Sequence, residues 1–458
     1  MMKTTKNNLN ELIQVLKENP AVDFILPSDP RYATARLIYN RMHDGHPGLI
    51  VRTLDVEVLR TIVAFVAREN IVLAIRGGGH HIGGFSTCND GIVIDFSPFK
   101  DIHIDVAKNI ASVGPGACLN DIDRELSARG FIVPTGSISE TGLAGLTLGG
   151  GVGWLIGKYG LTCDQLCGAD VLLANGELVK AEEHKDLLWA LRGGGGNFGI
   201  VLNFRYHLNP LPKTICGMGE VTFDNAAKVL DDLNKYLMHC PASITVAPVF
   251  IKVKSKKPMF RIDFCCADGT AKELADLLNF SNLVTWSSVR EWEFAAWQCQ
   301  FDYILLPPKR GYWKAAYIEN LNTDIIASIC HSIENSPDWE CTILIEHLHG
   351  AFKNYDQSTA AFPLRHTNMG VLFSSRWEDK ADDDTSIHWV RDSFSKIDPE
   401  GLTATYSNYT SADDDRASQT LQANTKSKIA NVKARYDPEN IFKRNHNVRP
   451  TIKKLVTA

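Results

Sequence analysis

The sequence predicts an α+β protein of two domains closed by a C-terminal segment, and three observations carry that reading. Between about Pro47 and Leu208, short β-rich runs alternate with helix-like periodicities. The triplet Pro210-Leu211-Pro212 then breaks the pattern, because proline lacks the N–H that either ladder needs. Beyond it a second alternation runs to about Ser411, where the chain turns polar. A chain of 458 residues is too long for one compact core. The expected division is 1–210 (core about 47–210), 211–410, and 411–458 returning to the first domain.

In order, Asp55 to Asn70 places Val56, Leu59, Val63 and Val66 on one helical face and leads into the strand-like Ile71 to Ile75. Ile92 to Phe96 and Ile110 to Val113 read as strands, and Leu119 to Ala128 as a helix ended by Gly130. Gly168 to Val179 contains the turn signal Asn175-Gly176 and reads as a hairpin. A helix-like stretch from Lys185 to Leu191 precedes the strand Ile200 to Leu208. In the second domain Thr245 to Lys252, Phe260 to Cys266, Cys341 to His347 and Met369 to Trp377 read as strands. Asn225 to His239 and Asp324 to Glu334 read as helices, and a further helix spans Gln419 to Ala434. Seven tryptophans fall between positions 286 and 389, mostly core by their size, with some expected to face a ligand.

Three glycine-rich segments interrupt these elements: Arg76 to Gly84, which carries His80 and His81, then Gly145 to Gly153, then Gly193 to Gly199. Glycine costs entropy on folding, so clusters persist where backbone turns tightly or lets a ligand approach its N–H groups. The common nucleotide motifs fail. Gly194-x-Gly196-x-x-Gly199 lies between a helix and a strand, the reverse of the dinucleotide order, and Val152 occupies the first glycine of a would-be P-loop. Any phosphate site is therefore expected to be built from loops rather than from a helix dipole.

Composition excludes several classes. With 44% hydrophobic and 22% charged residues the chain is of globular type. A net charge of −5 without a basic run argues against nucleic acid and anionic membranes and for a small-molecule substrate. The N-terminal stretch lacks the apolar core of a secretory signal and no run reaches transmembrane length, so a cytoplasmic location is expected. Eleven cysteines without framework spacing read as buried thiols, and Cys163-x-x-x-Cys167 lacks a second ligand pair, so no metal site is expected. Oligomeric state is left open.

Taken together, the stretches Arg76 to Ser86, Gly136 to Gly160 with Asp164, Gly193 to Val201, Tyr406-Ser407-Asn408-Tyr409 and Tyr436-Asp437-Pro438 resemble the flavin-linked oxidases of the berberine bridge enzyme type. The resemblance runs from about Pro47 to Pro450 and is strongest to microbial members that include hydroxynicotine oxidases. It implies a two-domain vanillyl-alcohol-oxidase-type fold with a PCMH-type FAD-binding domain and an antiparallel-sheet substrate domain. FAD is the implied cofactor, bonded through its 8α-methyl to His80, while His81 points away and bonds locally. Many relatives carry a second link through a cysteine at the position of Ile138, so a single covalent bond is expected here. Thr141, at the position that controls oxygen access, is close in shape to valine and favours O2 as acceptor.

The same resemblance places Arg76, Gly77, Gly78, Gly79, Gly83 and Ser86 around the pyrophosphate and flavin, and Gly142, Gly145 and Gly150 near its other side. Asn197, Gly199, Ile200 and Val201 are assigned to the adenine half and Asn445 to the isoalloxazine, whereas Arg365 is a family arginine with a structural role. The implied activity is hydride removal from a C–H beside a hydroxyl or amine, with reoxidation by O2 to hydrogen peroxide. The alternatives are a dehydrogenase with another acceptor and a flavin carrier without turnover. Tyr409 is the implied base, and a phenol needs a partner to act at neutral pH. Glu346, or His347 with His349 on the opposite face of one strand, could assist, and the sequence leaves that choice open.

Overall fold

The computed structural model describes residues 2–20, 22–401, 403–416 and 423–451. Its first layer is a four-stranded sheet in the order Asp23–Ile25, Leu49–Arg52, Ile92–Asp95, Leu73–Arg76. The last two neighbours, and Leu49–Arg52 with Ile92–Asp95, pair in parallel. Parallel pairing requires a crossover, supplied by the helix Val56–Glu69. Asp55 caps this helix by accepting from the N–H groups of Glu57 and Val58, and Asn70 ends it in the left-handed region at φ 47°. Its face of Leu59, Ile62, Val63 and Val66 is buried against the sheet together with Leu12 and Leu16 of the N-terminal helix Met2–Lys17.

An antiparallel five-stranded sheet follows, ordered Ile102–Asp105, Ile110–Val113, Ile200–His207, Leu166–Leu172, Leu178–Lys180. The hairpin expected at Asn175-Gly176 closes between its last two strands, with Gly176 at φ 80°. The next layer is a seven-stranded antiparallel sheet in the order Thr285–Trp292, Thr214–Val221, Met259–Ala267, Ile244–Lys252, Glu340–His347, Met369–Trp377, Arg310–Ile318. Helices Ala226–Leu237, Thr323–Glu334 and Asp383–Ser395 cover one face, where Ile343, Ile345, Val371 and Phe373 are buried with Leu233, Ile329 and Val390. Strand alternation turns Thr342, Leu344 and Glu346 the other way, toward a cavity.

The C-terminal helix Ala423–Tyr436 returns to the first half of the chain, burying Ile429, Val432 and Tyr436 with Leu187, Trp189 and Phe198. The start of the helix expected from Gln419 lies outside the described residues. Behind this helix Lys433 and Asp437 form a fully buried ion pair at 2.6 Å, and Asp437 accepts from the N–H groups of Ile441 and Phe442. That pair fixes the segment carrying Asn445 and His446.

Two expectations are corrected. The second glycine-rich segment is not all loop: Leu143–Gly149 is helical, because burying Leu143 and Leu146 outweighs the poor helix propensity of its glycines. The strand holding Glu346 ends at His347, so His349 lies beyond it, although the two imidazoles still share a side.

Candidate active site

All three glycine-rich segments converge on one cavity of about 400 Å³ between the first two sheets and the open face of the seven-stranded sheet. The first and second segments touch backbone to backbone. A methyl group on Gly78 would lie 2.5 Å from both Cα and N of Gly142, so only glycine permits this crossing. The third segment, with Gly199 and Val201, also lines the cavity, as do Leu73, Ile75 and Phe96.

His80 and His81 leave the first segment in different directions. The His80 ring stacks on Tyr39 at 3.8 Å and 21°, and its Nε2 is buried without a hydrogen-bond partner among the described residues. Burial, and then the positive charge of Arg376, bring its pKa down to about 4, which leaves a neutral imidazole. At His81, Nδ1 accepts from the Gly83 N–H at 2.9 Å and Nε2 donates to the Ser407 carbonyl at 3.0 Å, an assignment that follows from the partners. Burial and the neighbouring His446 push its pKa to about 3. His81 is thus occupied in joining the first segment to the Tyr406–Tyr409 turn.

At the same end of the cavity the Tyr409 hydroxyl donates to Glu346 Oε1 at 2.7 Å. Tyr409 packs edge-on against Trp313 at 6.1 Å and Tyr406 at 4.9 Å, and Trp313 in turn meets Tyr39, so aromatic rings connect His80 to Tyr409. Tyr406 is itself held by the Gly151 N–H and the Asn408 amide, each at 2.8 Å from its hydroxyl oxygen. Burial pushes the Glu346 carboxyl up to about 7, opposed by the bond from Tyr409. Burial, and next the charge of Glu346, raise the Tyr409 phenol well above its ordinary value. The phenol is therefore a poor base alone; paired, it can pass a proton to a carboxylate at hydrogen-bond distance. His347 reaches the cavity wall, but its ring stacks on His349 at 4.2 Å.

Of the residues assigned from sequence, Gly77, Gly78, Gly79, His80, His81, Ser86, Ile138, Thr141, Gly142, Gly145, Gly199, Val201 and Asn445 line this cavity with Glu346, His347 and Tyr409. Arg76, Gly83, Gly150, Asn197 and Ile200 stand behind the wall. Arg76 pairs with the buried Asp95 at 3.0 Å, and Asn197 bonds the Gly194 carbonyl and the Val448 N–H. Gly150 is packed under Phe362 and Tyr406, and Ile200 is buried with Leu172 in the core of the parallel sheet. Arg365 forms a buried bidentate pair with Asp164, consistent with a structural place.

Sequence reasoning missed Tyr39 and Asp263, brought in from segments without a motif, and His446, the neighbour of the assigned Asn445. Asp263 is buried on the cavity wall and paired with Arg261 at 2.8 Å, with burial pushing its carboxyl up to about 6. No cysteine among the described residues lines the cavity; Cys118 instead sits beside Lys100, and Cys163 is buried. The set fits a flavin dinucleotide: glycine backbone from three segments along the cavity wall, and unpartnered buried atoms at His80 Nε2, Ser86 Oγ and Asn445 Oδ1.

Comparison with known proteins agrees. An FAD binding domain family matches residues 47–182, and a berberine and berberine-like family matches residues 405–449. An FAD-linked oxidoreductase from Dictyostelium discoideum is 29% identical over 420 residues, covering 88% of this chain and 89% of that protein. The structure of 6-hydroxy-D-nicotine oxidase from Arthrobacter nicotinovorans superimposes with a TM-score of 0.84 at 25% identity, covering 94% of this chain and 98% of the other. Xylooligosaccharide oxidase from Myceliophthora thermophila shares the fold, with a TM-score of 0.85 at 22% identity over 96% of this chain and all of that one. The chain therefore carries an FAD binding domain match and a berberine-like match, and over most of its length it is similar to FAD-linked oxidoreductases of the berberine bridge enzyme type.

Proposed function

We propose that this oxidoreductase oxidises a small, largely apolar alcohol or amine at the C–H beside its hydroxyl or amino group, and that oxygen is the electron acceptor. The single observation carrying this reading is the Tyr409–Glu346 hydrogen bond at the same end of the cavity as His80. When bound, FAD takes up the hydride from that carbon and returns the electron pair to oxygen as hydrogen peroxide. Tyr409 accepts the hydroxyl or amine proton as its own passes to Glu346. Trp313, Leu344, Leu372 and Ala247 form apolar walls that exclude water and favour an apolar substrate body, while Thr245, Thr342 and Ser374 offer hydroxyls for orientation.

In this reading residues 1–210 and 411–458 hold the cofactor and 211–410 cover the substrate. His80 carries the flavin through a single bond, since its neutral ring has a free nitrogen and Ile138 and Thr141 occupy the opposite stretch without a cysteine. Thr141 leaves oxygen access open.

The test is anaerobic mixing of the purified holoenzyme with a panel of small aromatic and aliphatic alcohols and amines, followed by admission of air. Bleaching of the flavin by one class and stoichiometric peroxide in air are expected. Bleaching that persists in air until an artificial acceptor is added would overturn the assignment of oxygen, and no bleaching by any alcohol or amine would overturn the substrate class.

A further inference from the structure

Beside the substrate cavity, three side chains with no part in the proposed chemistry converge. Cys240 lies in the turn after helix Ala226–Leu237, His347 ends the strand Glu340–His347, and His349 follows two residues later. Residues two apart in extended chain point to one side, which brings the imidazoles into a parallel stack 4.2 Å apart with 8° between their planes. One ligand-capable atom from each of the three lies within 4.8 Å of the others. Each histidine is only 8% exposed. His347 Nδ1 and both ring nitrogens of His349 have no hydrogen-bond partner among the described residues.

Three unpartnered imidazole nitrogens in one buried spot are costly unless a bound group satisfies them. The Cys240 thiol lies 3.4 Å from the Ile244 carbonyl oxygen and 3.8 Å from that of Pro241, and it interacts with the Tyr236 hydroxyl.

We propose that Cys240, His347 and His349 form a binding site for a zinc-class divalent cation, held by one thiolate sulfur and two imidazole nitrogens. This donor set suits a borderline-soft ion and disfavours magnesium and calcium, which take oxygen ligands. Ligand atoms around tetrahedral zinc lie about 3–4 Å apart, so on binding the three atoms, now within 4.8 Å of one another, draw closer together. On binding, the thiol proton leaves to solvent and three protein ligands leave one position for water. The cation ties the turn at Cys240 to the end of the strand that carries Glu346, giving the substrate side of the cavity a fixed edge.

The test is calorimetric titration of chelator-treated holoenzyme with zinc sulfate, alongside the Cys240→Ser and His349→Ala variants, with flavin absorbance and circular dichroism checking that each is folded. One zinc per chain is expected, with affinity reduced at least about 100-fold in either variant, more than is typical for loss of an outer-shell partner. X-ray absorption of the zinc-loaded wild type requires no variant and is expected to report one sulfur and three nitrogen or oxygen atoms, with the outer-shell signature of two imidazoles. Substoichiometric binding, variants that bind as the wild type does, or a first shell without sulfur would each overturn the site.

Discussion

Lys433→Met removes the cation from a pair in which both side chains are completely buried. The Lys433 ammonium donates to Asp437 at 2.6 Å and to the carbonyls of Asn197 at 2.7 Å and Phe442 at 2.9 Å. Methionine fills much of the same volume but leaves the Asp437 carboxylate facing only the N–H groups of Ile441 and Phe442, at 2.8 and 2.9 Å. Breaking a buried pair from one side costs about 3–5 kcal/mol, because the remaining charge is desolvated without compensation. The loss falls on the segment that leads to Asn445 and His446 on the cavity wall. Urea unfolding should therefore show the FAD-side core destabilised by about that amount. Flavin release should be followed separately, since a two-domain chain need not unfold in one step. A loss below about 1 kcal/mol, the scale of an exposed pair, with flavin content unchanged would refute this account of the closing segment.

Tyr409→Phe should slow flavin reduction by substrate about 10²–10⁴-fold while leaving flavin content intact, and stopped-flow rates equal to wild type would remove Tyr409 from the chemistry. Gly78→Ala places a methyl group 2.5 Å from the Gly142 backbone, so the variant should purify with little or no flavin; a full complement of cofactor would show that the two segments can part. Asp123 is 1% exposed, accepts from Gln298 and Thr135 at 3.1 Å each, and is pushed by burial up to about 7. Because the folded state holds this proton more tightly than the unfolded chain does, the contribution is complete below the ordinary aspartate value and is lost as pH rises to about 7. The steepest slope is about 1.4 kcal/mol per pH unit, and Asp123→Asn should flatten it in stability measured between pH 4 and 7.

Elements whose burial is local and periodic were legible in the sequence. The helix Val56–Glu69 buries the face that its spacing implied, and Met369–Trp377 matches the expected strand residue for residue. The glycine-rich segments announced a close backbone approach, and the cavity lies between them. The strand Thr214–Val221 was hidden by Gly217 and Gly219, which carry no β signal; the space a side chain would fill is taken by Phe264 and Trp286 from neighbouring strands. Helix Leu143–Gly149 was hidden for the complementary reason, its stability coming from packing rather than propensity. The site divides the same way. His80 and Tyr409 sit in recognisable strings, whereas Tyr39, Asp263 and the choice of Glu346 as partner of Tyr409 depend on contacts between segments 41 or more residues apart or on sheet facing.

The central claim is that this cavity holds FAD with its reacting end beside His80, Tyr409 and Glu346. The most direct measurement is the absorbance of purified wild type and His80→Ala after acid precipitation, followed by mass spectrometry of the peptide containing His80. The account predicts flavin colour in the wild-type pellet, a peptide heavier by one FAD, and colour released to the supernatant by the variant. Colour in the wild-type supernatant would contradict the histidyl bond, and a colourless wild type that takes up no added FAD would contradict the cavity's assignment.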